Sequence, residues 1–390
     1  MCNLSSSAPP SSKVDDLTAN PGSPASGEAP CCPEAADFRK HGRKAAYYGF
    51  DDKTDMVGSG TQPYWLPPNA AKTAPTNRLT RDGAVWLSVQ RGQTTKCLIN
   101  FANHHGCIRN STYVVKPANV ARVVTSTITT NLAEFEIQGL AAGDCTIVVS
   151  CGGKDIGWVH VACHVLKSYR VALCEVNQTV TTGTGAAART SLTLPRPAMD
   201  MTVYRNFFAE CYRAACVEVS LTALARYDLP ATTNLAPGGG FFDANGQMTP
   251  TQLDAGWGGT ITRVTDAIFT AVKRRNPGYD KYLFLMMPTG RRGAGSYING
   301  FARSIGSDYA IFFNSDSGVY STAAHEFGHT IKLRHPNDPA ASGQYPPHLR
   351  AAAGGDNVAS NDVLNLMGYG NPRTDRKELR YMQWKSVQGR

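Results

Sequence analysis

From Ser321 to His335 the chain reads Ser-Thr-Ala-Ala-His-Glu-Phe-Gly-His-Thr-Ile-Lys-Leu-Arg-His, and this stretch constrains the fold more than any other. His325 and His329 are four residues apart, so on a helix both imidazoles leave the same face and can hold one metal ion. Ala323, Phe327 and Ile331 recur at helical spacing on another face and would meet a core. Glu326 sits beside the first histidine, where a carboxylate can reach an activated water rather than the metal. His335, six residues past His329, is far enough along to leave the helix and close the site from another direction. Ser315–Ser317 can cap the helix. Gly328 keeps one side of it thin, as close packing or substrate approach requires.

Downstream stands Asn365-Leu-Met367-Gly-Tyr369. His325-Glu-x-x-His329-x-x-Lys-x-x-His335 followed by Met367 resembles the signature of the metzincins, HExxHxxGxxH with a Met-turn. The resemblance implies a zinc endopeptidase in which His325, His329 and His335 bind one Zn2+ ion and Met367 forms an apolar floor beneath it. It also implies Glu326 as general base. The spacing Met367-x-Tyr369 is similar to that of the astacin and serralysin branches, where the tyrosine stabilises the transition state. The family's glycine is Lys332 here. That glycine normally turns the chain off the helix with φ > 0, a conformation that costs a lysine about 1 kcal/mol. Either the lysine accepts this strain, or the turn is made differently and His335 is displaced. A glutamate as third ligand is poorly supplied, since only Glu378 follows Glu326; Asp338 and Asp356 remain as reserves.

The rest of the chain sorts by texture. Residues 1–35 are rich in Ser, Pro, Ala and Gly and read as a disordered leader. Residues 36–80 carry aromatics among several prolines and read as an irregular arm lying on a neighbouring domain. Cys31 and Cys32 could offer a thiolate to the metal and hold the enzyme latent, although incidental tail cysteines are the simpler reading. Over 81–167, Val85–Val89, Thr95–Phe101, Phe135–Ile137, Cys145–Ser150 and Gly157–Val165 alternate as strands, the last two joined as a hairpin through Cys151–Asp155. Their order resembles bacterial immunoglobulin-like domains. His160 and His164 share one face of the last strand and His104-His105 fall in a loop; packing or surface roles suit them better than a second metal site, for want of a third ligand.

From 168 onward strands and helices mix. Strands are expected at Tyr169–Glu175, Val217–Leu224, Tyr282–Met287 and Asp308–Phe313, and helices over 200–216 and around Ile261–Val272. Tyr297–Ala302 can form an edge strand, and Tyr297, Ile298, Asn299 and Gly300 are the residues expected to pair with an extended substrate. Asp243-Ala-Asn-Gly lacks the spacing of a calcium loop and reads as a plain turn. The expected fold class is therefore multidomain: an all-β immunoglobulin-like sandwich (81–167) followed by an α+β zincin/metzincin-like catalytic domain (168–390).

Apolar residues make up 42% of the 390 and charged residues 18%, which fits a folded chain of two domains and a tail. No apolar run is long enough to cross a bilayer, and no Sec-type signal peptide stands at the N-terminus. Six of the eleven cysteines, Cys97, Cys107, Cys145, Cys151, Cys163 and Cys174, crowd together; disulfides and small buried side chains fit them equally. The net charge of +9 lies beyond residue 80, but no basic patch with interleaved aromatics marks a specific nucleic-acid site. The expected function is a zinc-dependent endopeptidase acting on a protein or peptide substrate, exported as a bacterial protease or effector toxin, with the N-terminal region meeting a secretion apparatus; otherwise it is cytoplasmic. Two alternatives stand beside it. One is an adhesion or binding protein whose sandwich does the work beside a degenerate peptidase domain, which Lys332 favours. The other is a zinc amidase acting on peptidoglycan.

Overall fold

A computed structural model describes residues 33, 35–41, 49–51, 85–102, 110–128, 132–177, 179–182, 189–192, 199–228, 260–286, 290–291, 297–313, 318–336, 338–341, 344, 365–368 and 377–390. The leader cysteines Cys31 and Cys32, His104-His105, the Asp243 turn, Asp356 and Tyr369 lie outside the described residues. The described chain is β-rich, with few helices and several sheets. No helix among the described residues is long and apolar enough to cross a membrane.

The first strands are β1 (Ala35–Lys40), β2 (Gly49–Asp51), β3 (Val85–Gln90), β4 (Thr94–Ala102), β5 (Ser111–Lys116), β6 (Ala121–Ile128), β7 (Leu132–Gly139), β8 (Gly143–Cys151) and β9 (Lys154–His164). They form a four-stranded sheet in the order β1-β4-β7-β6 and a five-stranded sheet in the order β2-β3-β9-β8-β5. Alternation decides what each strand buries. Cys97, Ile99 and Phe101 on β4, Phe135 and Ile137 on β7, and Cys145, Ile147 and Val149 on β8 enter one core between the sheets. The Cys151–Lys154 hairpin joins β8 to β9 as its turn residues predict.

Two short stretches of the expected irregular arm are strands. Phe38 on β1 and Phe50 on β2 are buried in this core, so each segment pairs at a sheet edge. β5 and β6 also escaped the sequence reading. Both are edge strands, and Val114 and Val124 on them are 46% exposed, so neither shows clean hydrophobic alternation. The cysteines divide: Cys97, Cys145, Cys163 and Cys174 are free and buried, whereas Cys151 is disulfide-bonded.

The remaining elements are β10 (Lys167–Asn177), a hairpin of β11 (Thr179–Thr182) and β12 (Arg189–Leu192), α1 (Met201–Tyr212), β13 (Val217–Ala223), β14 (Tyr227–Asp228), α2 (Thr260–Arg275), β15 (Lys281–Met286), β16 (Gly290–Arg291), β17 (Tyr297–Ile298), β18 (Gly300–Ala302), β19 (Tyr309–Phe313), α3 (Val319–Thr330) and α4 (Tyr381–Gln388). β13, β10, β15 and β19 run parallel, and β18 closes the edge antiparallel to β19. β15, β19 and the second half of β10 are buried at nearly every position because both faces are covered, whereas β13 at the edge is largely exposed. Leu173, Leu283, Leu285 and Phe312 meet the core of α1, α3 and α4, while Cys174, Tyr282, Phe284 and Ile311 meet Ile268 and Val272 of α2. The expected single edge strand Tyr297–Ala302 divides at Asn299: β17 pairs with β16, and β18 with β19.

β3 and β9 are walls of both bodies. Leu87, Val89, Val159 and Val161 face the first core, while Trp86 and Ala162 join the second. Tyr381 of α4 stacks on Trp86 with ring centroids 3.3 Å apart. Asp144 on β8 accepts hydrogen bonds from Tyr381 Oη, Lys385 Nζ and Arg390 Nη2 at 2.9, 3.0 and 2.6 Å. His160 and His164 are buried along this seam, where desolvation pushes them down to about 4 and about 3 and keeps both neutral.

Candidate metal centre

Helix α3 begins at Gly318, its N-cap, with φ +77°; Ser315–Ser317, expected to cap it, lie outside the described residues. Its inward face is apolar, as the spacing requires: Ala323 and Phe327 are fully buried and Ile331 is 4% exposed. Phe327 packs against Phe208 and Tyr212 of α1 at 5.6 and 5.1 Å between ring centroids. This face holds the helix against the sheet and leaves His325 and His329 on another side.

The helix ends in a paired-hydrogen-bond turn. Lys332 N–H donates to His329 O at 3.1 Å and Leu333 N–H to Gly328 O at 2.9 Å, the Schellman arrangement in which the residue after the cap is left-handed. Lys332 is that residue, at φ +79°. The lysine therefore accepts a left-handed conformation that favours glycine. Gln344 brackets the turn, its Nε2 donating to Lys332 O at 2.8 Å and its Oε1 accepting from Arg334 N–H at 2.9 Å. With the chain so turned, His335 returns to the first two histidines.

The three Nε2 atoms converge. His335 Nε2 lies 2.9 Å from His325 Nε2 and 2.9 Å from His329 Nε2. The other ring nitrogens explain the orientation. His325 Nδ1 lies 2.8 Å from Leu366 O, and His329 Nδ1 lies 2.7 Å from Leu333 O. A carbonyl can only accept, so each Nδ1 carries the proton and each Nε2 of these two presents a lone pair. Burial pushes His329 down to about 4, which keeps it the neutral imidazole a ligand must be. With His335 also unprotonated at Nε2, three lone pairs would face one another, an arrangement that a cation among them stabilises. Zinc–nitrogen bonds in a tetrahedral site put ligand nitrogens roughly 3.3 Å apart, close to the spacing here. Among the described residues this is the one group of three or more side chains that could hold a metal ion, and it needs neither Glu378 nor Asp338.

Two glycines fit other groups around the triad. A Cβ on Gly328 would lie 2.6 Å from Met367 Sδ, so the thioether occupies the thin side of the helix. A Cβ on Gly300 would lie 2.8 Å from Glu326 Oε1, so the edge strand β18 passes against the carboxylate with no side chain between. Of the expected strand residues, Asn299 accepts Phe313 N–H at 2.7 Å through its carbonyl, and Tyr297 and Ile298 belong to β17. Sequence reasoning missed Gln344, Asn365 and Gln383. Asn365 is fully buried, and its Oδ1 accepts Met367 N–H at 2.9 Å while its Nδ2 donates to Gln383 Oε1 at 2.7 Å. An asparagine two residues before a turn methionine is a signal that could have found the first of these bonds; nothing local marks the others.

No protein-family model matches the chain, and no curated protein matches it. Among solved structures it is similar to archaemetzincin (amzA) from Methanopyrus kandleri, with 15% identity and a TM-score of 0.32 over 57% of this chain and 94% of that one. It is also similar to domains 4 and 5 of the S-layer protein SbsC, with 23% identity and a TM-score of 0.17 over 20% of this chain and 40% of that one. These likenesses are partial, and the functional reading rests on the geometry of the site itself.

Proposed function

We propose that the chain is a zinc-dependent endopeptidase of metzincin type, with the two-sheet body as an immunoglobulin-like module beside it. The observation that carries this reading is the convergence of His325, His329 and His335 on one point next to Glu326. His325, His329 and His335 would hold the ion. When bound, zinc supplies Lewis acidity, acidifying water and polarising a peptide carbonyl. Glu326 takes a proton from the attacking water as its oxygen bonds to the carbonyl carbon. It then passes that proton to the leaving nitrogen as the C–N bond breaks. Tyr369 donates a hydrogen bond to the developing oxyanion. The segment Tyr297–Gly300 pairs with the extended substrate, placing its backbone beside Glu326.

The test compares wild type with Glu326→Gln for zinc content and for cleavage of an unfolded protein. The expected result is equal zinc, about one ion per chain, and cleavage slower by about a hundredfold or more in the variant. Equal cleavage by both, or a wild type that binds no zinc, overturns the proposal.

A further inference from the structure

Behind the three histidines lies a buried polar chain that proton transfer at Glu326 does not use. It starts on the two-sheet body. Asp51 of β2 is fully buried; its Oδ1 lies 3.3 Å from Arg380 Nη1, and its Oδ2 accepts Tyr381 N–H at 2.9 Å. The carboxylate thus caps the first turn of α4 from another part of the chain, where an anion also suits the helix dipole. Arg380 N–H donates to Gln383 Oε1 at 2.9 Å. Gln383 and Asn365 exchange amide hydrogen bonds at 2.7 and 3.3 Å, and Asn365 Oδ1 holds Met367 N–H. Between them stands Leu366, whose N–H donates to Glu378 O at 2.9 Å and whose carbonyl orients His325. Asp51, Asn365, Arg380 and Gln383 are each at most 1% exposed. In a dry interior such groups have few alternative partners, so each fixes the position of the next.

We propose that Asp51 is a positioning residue for the metal centre, acting through α4, Gln383 and Asn365 on the turn whose Leu366 carbonyl aims His325. The inference rests on the metallopeptidase reading above and assigns the two-sheet body a part in it: one of its edge strands supports the ligand cage. Partners that orient a ligating histidine govern metal affinity as well as activity, so the effect is read from binding.

The experiment uses the full chain and measures zinc affinity by chelator competition and the visible spectrum of the cobalt(II) form, well below the unfolding temperature. Asp51→Asn keeps an acceptor for Tyr381 N–H and is expected to weaken zinc by about threefold. Arg380 Nη1 also lies 2.9 Å from Glu378 Oε2, so Asp51→Asn leaves it part of its counter-charge; a second variant, Asp51→Ala with Arg380→Met, removes the buried pair and takes a partner only from the partly exposed Glu378 carboxylate. It is expected to keep its far-ultraviolet circular dichroism, weaken zinc by about tenfold and alter the cobalt spectrum. Lower thermal stability with wild-type zinc affinity and an unchanged cobalt spectrum in both variants would mean a merely structural role and overturn the proposal alone. A wild type that binds no zinc overturns it together with the metallopeptidase reading.

Discussion

Replacing Gly328 with alanine sets two effects of opposite sign against each other. In the middle of a helix, alanine is better than glycine by about 1 kcal/mol, so propensity alone predicts a more stable protein. The new Cβ, however, would lie 2.6 Å from Met367 Sδ and 3.2 Å from Tyr212 Oη, short of the 3.4 Å at which ordinary contact begins. Met367 and Tyr212 are fully buried, and Met367 N–H is tied to Asn365. Overpacking of this kind costs about 1–3 kcal/mol. The clash should win, leaving Gly328→Ala less stable by about 1 kcal/mol in urea denaturation of the metal-free protein. Relief by moving the 365–368 turn also shifts the Leu366 carbonyl from His325, so zinc should bind about tenfold more weakly. A variant more stable than wild type with unchanged zinc affinity would refute this packing of Met367 under the helix.

Lys332 at φ +79° predicts that Lys332→Gly changes stability by less than about 0.5 kcal/mol, because relief of strain offsets the added freedom of the unfolded chain. Lys332→Val, β-branched in the same conformation, should cost about 1–2 kcal/mol and weaken zinc binding; thermal unfolding and chelator competition read both. His160 and His164, held to about 4 and about 3 against an ordinary 6.5, bind fewer protons folded than unfolded. Their contribution to stability is therefore intact above pH 6.5 and falls as pH drops towards 4, by about 1.4 kcal/mol per unit for each. Denaturation of His160→Gln with His164→Leu should show a correspondingly shallower acid slope than wild type, and equal slopes would contradict it. Tyr369→Phe should retain zinc and lose kcat by about a hundredfold with little change in KM; full turnover would remove its role.

Legibility followed the range of the interaction concerned. His325 and His329 were readable because helical periodicity places them on one face without help from the rest of the chain. β4 and β8 were readable because one face of each is apolar and the alternation survives in the sequence, and β9 because it is a longer β-branched run buried on both faces. β5 and β6, with exposed valines among Ser and Thr at the sheet edges, carry no such contrast. β1 and β2 were hidden for a different reason: each is a short segment that becomes a strand only by pairing with β4 or β3, tens of residues away. The least legible part is the support of the site. Asp51 and Arg380 stand at opposite ends of the chain, and Gln383 and Gln344 look like surface glutamines until the turns they brace are seen. Lys332 was readable as a departure, but whether the turn would survive it depended on the bonds to Gly328 and Gln344.

The two-faced burial of β3 and β9 bears on how the molecule comes apart. Trp86 and Ala162 belong to one core while Leu87 and Val161, their chain neighbours, belong to the other. Only Val165 and Leu166 separate β9 from β10. Unfolding either body strips one side from strands the other still needs, so calorimetry should record a single transition where two beads on a linker would give two. A fragment ending at His164 would carry a bare indole and two unsheltered imidazoles on its outer sheet, and would associate or precipitate where a self-contained module stays in solution.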